Sequence, residues 1–476
     1  MKKVYALITA LVLLSCSVVS VVAATVNSQR DQVVITENVL YGDRTAADGL
    51  DIKTKNHLGY RLYWKTDYAI SNDSKANTKF NLYPRQKHEN NSANRRHEGI
   101  FLDNGIEYGF YDDLPASEQK GIQKAYKELF DSAELGVEKS KKVYLKDYYD
   151  YYPVGVGFDL PYTHWTGYEY GDVLKGEPYD ALYVTEKFRE YFKIPVLDSD
   201  TVTISVEKGE DGHSYSTGTD EMGCFNLSAI GTVARKWGRC FFTIHNYKYS
   251  DAKNNTDEIE HIDTSLIPGG YGIYSFYYCG GDSASRTGII ADKIETVFPF
   301  DSKTIVSHIT MSKDEKQLLL FTVEDKSFYL TVIDIKTMKA AQKILIKEDH
   351  GSGSVHEYDD FIVTDTENDI TVITVKDSVY TVDFSVKKAS FIDEKFHDIW
   401  VADCMDYKDG KLAIVGNCFD EDRGNELCDF FVLVYDKSGL LYYGKYNTSL
   451  DLGRTNDTFV SDCHPTDINP NLIKWK

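Results

Sequence analysis

The sequence predicts an all-β fold built from repeated hairpin units, and three observations carry that prediction. First, β-branched and aromatic runs come in pairs: QLLLFTV (317–323) with FYLTVIDI (328–335), ITVITV (370–375) with VYTVDF (379–384), and KLAIVGNC (411–418) with DFFVLVY (429–435). Short polar turns separate the members of the first two pairs, which is a hairpin signal. Second, an aspartate recurs at the end of the second run of each pair. Asp334, Asp383 and Asp436 lie 49 and 53 residues apart, and a weaker copy at Asp292 lies 42 residues before Asp334. Its carboxylate is expected to accept backbone N–H bonds in the tight turn that follows. Third, 35 Tyr, 23 Phe and 5 Trp against only 10 Pro describe a chain with the means to fill a core, not a disordered one.

Self-similarity at this period, with about four strands per unit, is the signature of propeller blades. The run LTVIDIKTMKAAQKILI (330–346) resembles the outer half of a blade of the β-propeller superfamily, as in surface-layer and quinoprotein-like repeats. The resemblance covers residues 285–450. It implies an architecture and carries no functional residue across. The WD dipeptide is absent, and no full kelch or sialidase Asp-box pattern occurs. Dividing the folded length by a repeat of roughly 45 to 50 residues gives about seven blades. The expectation is one propeller-like domain over residues 25–476, its ring closed by a final strand from Phe459 or from Leu472–Trp475 beside an early strand.

The amino-terminal half is less regular. Strand-like pieces fall in Gly49–Tyr68, and residues 83–96 are polar. Leu114-Pro115 is expected to open a helix, Pro being tolerated in a first turn. Ile122, Tyr126, Leu129, Phe130 and Ala133 recur at helical spacing before Gly136. A tyrosine-dense, glycine-interrupted stretch follows over 144–183, where Gly155, Gly157, Gly167 and Gly171 disfavour a regular element. Together these predict one helix-containing, tyrosine-rich insertion over residues 112–192.

Lys2 and Lys3 precede an uncharged apolar run, Val4 to Ala24, which ends in the small residues Val22-Ala23-Ala24. That is the pattern of a signal peptide, and the run is also long enough for an uncleaved membrane anchor. Leu13-Leu14-Ser15-Cys16 resembles a lipoprotein box with a bulky Leu14 in it. The expected location is extracytoplasmic, secreted or anchored at the cell surface through residues 4–24. The full chain carries a net charge of −21, which argues against nucleic acid and against docking on anionic lipid. Membrane contact is therefore expected only through the N-terminal segment. Six N-x-S/T sequons, at Asn72, Asn90, Asn226, Asn254, Asn447 and Asn456, matter only in a eukaryotic secretory pathway.

Seven cysteines lie beyond residue 24, in no C-x-x-C pattern. Cys418 and Cys428 flank an acidic loop between two strand-like runs, so a disulfide between them and a pair of buried thiols both remain open. In that loop Asp420 and Asp422 alternate before Gly424, but the spacing lacks the further oxygen ligands of a calcium loop. No metal site and no cofactor are expected. The run Pro268-Gly269-Gly270-Tyr271 reads as a turn before the strand Ile273–Tyr278.

No H-E-x-x-H, G-x-S-x-G or P-loop pattern occurs among the twelve histidines, the serines and the glycines. The expected function is a non-catalytic binding or sensor module engaging glycan, peptide or another surface protein. The alternative is an exported propeller hydrolase acting on polysaccharide, which would need two convergent carboxylates. For a binding module, Tyr149, Tyr152, Trp165 and Tyr168 are the candidate ligand-binding rings, expected to include rings exposed at one face near the mouth of the central channel. Flat rings cover apolar sugar faces while hydroxyls hydrogen-bond, and the same rings can equally pack an insertion onto a core.

Overall fold

The computed structural model describes residues 2–28, 33–58, 62–71, 76–82, 99–107, 109–160, 163–165, 181–210, 213–220, 225, 227–234, 238–247, 260–278, 289–348, 353–366, 368–389, 404–417, 430–449 and 473–476. Among them strands dominate, arranged as seven separate antiparallel sheets, with three α-helices. The chain divides into two compact units: residues 1–92 with 353–476, and residues 93–352.

The first unit holds three sheets. One is four-stranded, β19 (Ser354–Glu357), β20 (Phe361–Asp365), β21 (Asp369–Lys376) and β22 (Val379–Lys387), in chain order. A second runs β27 (Ile473–Trp475), β2 (Leu50–Leu58), β3 (Leu62–Ala69), β4 (Ala76–Leu82). The third has five strands, β1 (Ile35–Gly42), β26 (Gly439–Thr448), β25 (Phe430–Asp436), β24 (Lys411–Asn417), β23 (Cys404–Lys408). The C-terminal strand therefore lies beside an early one, Leu50 opposite Trp475 and Ile52 opposite Ile473. Of the two expected sources for that strand, Leu472–Trp475 supplies it, and Phe459 lies outside the described residues. Two apolar clusters fill this unit, one around Tyr68, Phe430, Tyr446 and Trp475, the other around Phe361, Phe384, Met405 and Phe431. Helix α1 (Lys2–Ser28) belongs to neither, and large apolar side chains along it are exposed.

The second unit holds two four-stranded meanders. They are β11 (Ala229–Ala234), β12 (Arg239–Ile244), β13 (Gly272–Tyr278), β14 (Ile289–Pro299), and β15 (Ile305–Met311), β16 (Gln317–Glu324), β17 (Ser327–Asp334), β18 (Lys339–Lys347). Two three-stranded sheets accompany them: β5 (Gly99–Asp103), β7 (Gly155–Leu160), β8 (Thr163–Trp165), and β6 (Glu138–Tyr144), β9 (Thr201–Lys208), β10 (Ser214–Asp220), with β9 central. Strand β9 alternates as a half-buried strand should, with Val202, Ile204 and Val206 inward.

The three paired runs are antiparallel neighbours, and the first two are hairpins closed by two-residue loops with left-handed backbone. Asp325-Lys326 and Asp377-Ser378 have φ of 47° and 64°, and 53° and 64°. These are the turns whose twist matches that of the flanking strands. The repeat has one phase slip. The first and third pairs are the second and third strands of their sheets, β16–β17 and β24–β25, whereas the middle pair is the third and fourth, β21–β22. The aspartates follow suit. Asp334 Oδ1 accepts from the N–H and the hydroxyl of Thr337, at 2.8 and 2.7 Å, and Asp436 Oδ1 does the same for Ser438 at 2.7 and 2.5 Å. Asp383 is no turn residue: it sits inside β22, and its carboxylate accepts the hydroxyl of Tyr407 at 2.5 Å.

The region expected to be a one-helix insertion is more regular than that. Pro115 precedes only a 3-10 turn, Ala116–Glu118, and helix α2 starts later, at Gln123, and ends at Asp131. The cause is Gly121, whose positive φ of 50° breaks the helical path and whose missing Cβ makes room for the Tyr149 ring. The apolar stripe was read correctly: Ile122, Tyr126, Leu129 and Phe130 are buried. Helix α2 is not alone, since α3 (Ala181–Tyr191) buries Val184 and Phe188, and strand β6 lies between them. Gly155 and Gly157 do not prevent a strand, because β7 runs through both.

Candidate functional site

Of the four expected rings, the side chains of Tyr149 and Tyr152 are described. Tyr152 is buried, 2% exposed, packed on Phe225 at 5.2 Å between ring centroids. Its hydroxyl donates to Asp200 and accepts the Leu197 N–H at 3.1 Å. The exposure expected of Tyr152 is thus corrected: a phenol with both its hydrogen-bonding roles filled inside the core is a packing residue. Tyr149 is half-buried, its hydroxyl accepts the Ile122 N–H at 3.1 Å, and burial pushes its pKa up. Trp165 ends strand β8, but its side chain lies outside the described residues, as does all of Tyr168. Cys418, Cys428 and the acidic loop between them lie outside them too. Cys240 and Cys404 are buried thiols, and burial raises the pKa of Cys240.

Tyr152 nonetheless leads to the strongest site among the described residues. Asp200, fully buried, accepts from Tyr152 and from the Phe225 N–H at 3.0 Å. Asn104, also buried, donates to Phe225 O at 2.6 Å and accepts the Leu227 N–H at 2.7 Å. These three side chains hold Phe225 and Leu227, just before β11. The Ser228 carbonyl then receives the His245 N–H at 3.0 Å, where β12 ends.

The connection from β12 to β13 is long, residues 245–271, and it leaves the sheet at the same end as the β14–β15 turn, because strands of a meander alternate in direction. Tyr247 pairs with His261 in an isolated antiparallel bridge, and Ile262 N–H donates to Asn246 O at 3.0 Å. Alternation along that pairing puts His245, Tyr247 and His261 on one face, and Asn246 and Ile262 on the other. The two latter residues are buried. The His245 and Tyr247 rings stack, 17° apart in plane and 5.7 Å between centroids. Asn246 Nδ2 donates to the carbonyls of Ser302 and, at 3.1 Å, Thr304, which ties the connection to the neighbouring turn. Downstream, Gly269 and Gly270 both take φ of 79°, and Tyr271 donates to Ile244 O at 2.9 Å. The turn read at Pro268–Tyr271 is present, and β13 follows it.

Burial lowers the pKa of His245. Burial lowers that of His261 as well, aided by Lys303 and opposed by the Asn246 carbonyl and Asp301. Both imidazoles are therefore neutral near neutral pH, with lone pairs able to accept hydrogen bonds. Among the described residues, His261 Nδ1 and Asn246 Oδ1 are both shielded from solvent. Glu260, beside His261, is held by the Ser199 hydroxyl at 2.9 Å. Among the described residues no group of three or more His, Cys, Asp or Glu is placed to hold a metal ion. The arrangement offers a flat aromatic pair beside a histidine on the same face, which suits binding a polar molecule. Sequence reasoning missed it, although a 27-residue connection inside a meander carrying two histidines and a tyrosine is the available signal.

No known protein family matches the sequence, and no curated protein matches it either. Solved structures similar to it include a protein of Bacteroides fragilis provisionally named a 6-phosphogluconolactonase, at 8% identity and a TM-score of 0.29, covering 82% of this chain and 93% of that one. A Bacteroides uniformis protein of the same provisional name aligns at 11% identity and a TM-score of 0.27, over 54% of this chain and 66% of its own. The β-propeller domain of Cps50 from Myceliophteria thermophila aligns at 10% identity and a TM-score of 0.22, over 54% and 83%. This chain is similar to β-propeller proteins, and similarity this distant carries no activity with it.

Proposed function

We propose that this protein is an exported, non-catalytic binding module whose seven sheets are the blades of one β-propeller. Its ligand is a glycan or peptide, held where the β12–β13 connection meets the β14–β15 turn. One observation carries the ligand reading: the stacked His245–Tyr247 pair, with His261 on the same face. Four four-stranded meanders and one further four-stranded sheet, β27-β2-β3-β4, among seven sheets support the blade reading. The uncharged run Val4–Ala24 supports export.

The purified chain is to be screened on glycan and peptide arrays and assayed for polysaccharide hydrolysis. Binding that disappears in His261→Ala and in Tyr247→Ala, with the melting temperature held, is the expected result. Binding unaffected by both substitutions removes this site, and turnover of any polysaccharide restores the hydrolase alternative. N-terminal sequencing of the exported form should begin at Thr25, whereas retention of residues 1–24 indicates an anchor. Calorimetry addresses the single ring, which should melt in one transition, and two resolved transitions would break that reading.

A further inference from the structure

The five-stranded sheet of the first unit is one strand larger than its four-stranded companions. Strands β23 to β26 already form a complete meander, and β1 is added outside β26. This extra strand contributes little to the core. Only Ile35 packs against an apolar cluster, while Val39, Leu40 and Tyr41 are more than 40% exposed. Besides its backbone ladder, a polar knot fastens β1, and Val34 N–H donates to Ser449 Oγ at 2.8 Å just before it. Glu37 accepts the Tyr442 hydroxyl at 2.6 Å through Oε1 and Arg44 Nε at 3.0 Å through Oε2. The Tyr442 and Tyr446 hydroxyls lie 2.7 Å apart, and Arg44 also reaches Asp48 at 2.9 Å. Gly42 seats the end of the strand under the Leu441 carbonyl, where a Cβ would lie 1.9 Å from that oxygen.

A strand with small apolar burial, held by a knot of side chains, is the part of a sheet that opens first. When it leaves, β26 becomes an open edge, which demands another strand. The slot is specific: it needs a glutamate opposite Tyr446, an apolar residue at the Ile35 position and a glycine under Leu441. The same segment of a second copy meets all three needs. We infer that β1 is an exchangeable clip, and that copies of this protein associate by placing β1 of one chain in the β26 slot of another. The interface is then the β1–β26 ladder already seen within the chain, which is the economical route of strand swapping. The inference is independent of the ligand site.

Asn38 and Lys445 are direct cross-strand partners, close enough for a disulfide once both are cysteine. Full-length chains carrying Asn38→Cys alone and Lys445→Cys alone are mixed, oxidised, digested and mapped by mass spectrometry. A peptide linking positions 38 and 445 from two chains is expected, rising with protein concentration and several-fold higher with Glu37→Gln added. A link found only when both substitutions share one chain overturns exchange. Hydrogen exchange on the unsubstituted chain decides the matter separately. Amides of β1 should exchange faster than those of β25 at low concentration and become protected at high concentration, and equal protection of the two strands overturns the inference.

Discussion

Two regions of the second unit are built on opposite plans. The sheet β15–β18 is held locally: each strand pairs with its neighbour in sequence, and a two-residue loop sets the β16–β17 register, Glu324 against Ser327. The region holding α2, α3 and the sheets of β5 and β9 is held at long range. Tyr152 bonds to a residue 48 positions away, and Asn104 to residues 121 and 123 positions away. The first plan distributes stability over many backbone bonds and adjacent apolar rows. The second concentrates it in a few buried polar side chains whose partners have no substitutes.

Substitutions that break this contrast should rank accordingly. Tyr152→Ala removes a buried ring and strips Asp200 of a donor, and should cost about 3–5 kcal/mol in denaturant unfolding. A loss under ~1 kcal/mol would mean the region is not organised around it. Asn104→Ala abandons two buried backbone partners and should cost about 2 kcal/mol, measured the same way. Proton linkage comes next. His245 and His261 are held neutral by burial, so their folded pKa values lie below those of the unfolded chain. The unfolded chain takes up protons first, and stability should fall as pH drops below about 6.5. Replacing His245 by Asn should flatten that slope in melting curves taken from pH 7 downward, and an unchanged slope would exclude His245 as its source. The smallest effect belongs to the local plan: Asp334→Ala loses an exposed turn contact and should change stability by roughly 0.5 kcal/mol or less. A larger loss would show that the meander, too, hangs on single side chains.

What could be read from the sequence follows the same division. The hairpins of β16–β17 and β21–β22 were legible because alternation, turn chemistry and pairing all lie within about 20 residues. The phase slip at β21–β22 was not, since a hairpin looks alike whichever two strands of a meander it joins. Helix α3 carries Val184 and Phe188 at helical spacing, with Phe192 in step just past its end, but the surrounding tyrosines and glycines favoured a loop reading. Tyr152 illustrates the wider difficulty. A tyrosine inside the core and one on a binding face have the same neighbours in sequence, and only Asp200, 48 residues on, distinguishes them.

The pairing of β27 with β2 sets a schedule for biogenesis. Residues 93–352 form a continuous unit that can fold as soon as it has emerged, while the other unit is split around it. Strand β2 must wait for Ile473, which is 391 residues beyond the end of β4 at Leu82. At synthesis rates of about 5–20 residues per second that is ~20–80 s. Throughout that interval β2–β4 is a hairpin sheet with one flank unfilled. Vectorial synthesis thus makes the arrival of Ile473–Trp475 the step that commits the β2–β4 sheet to its native state.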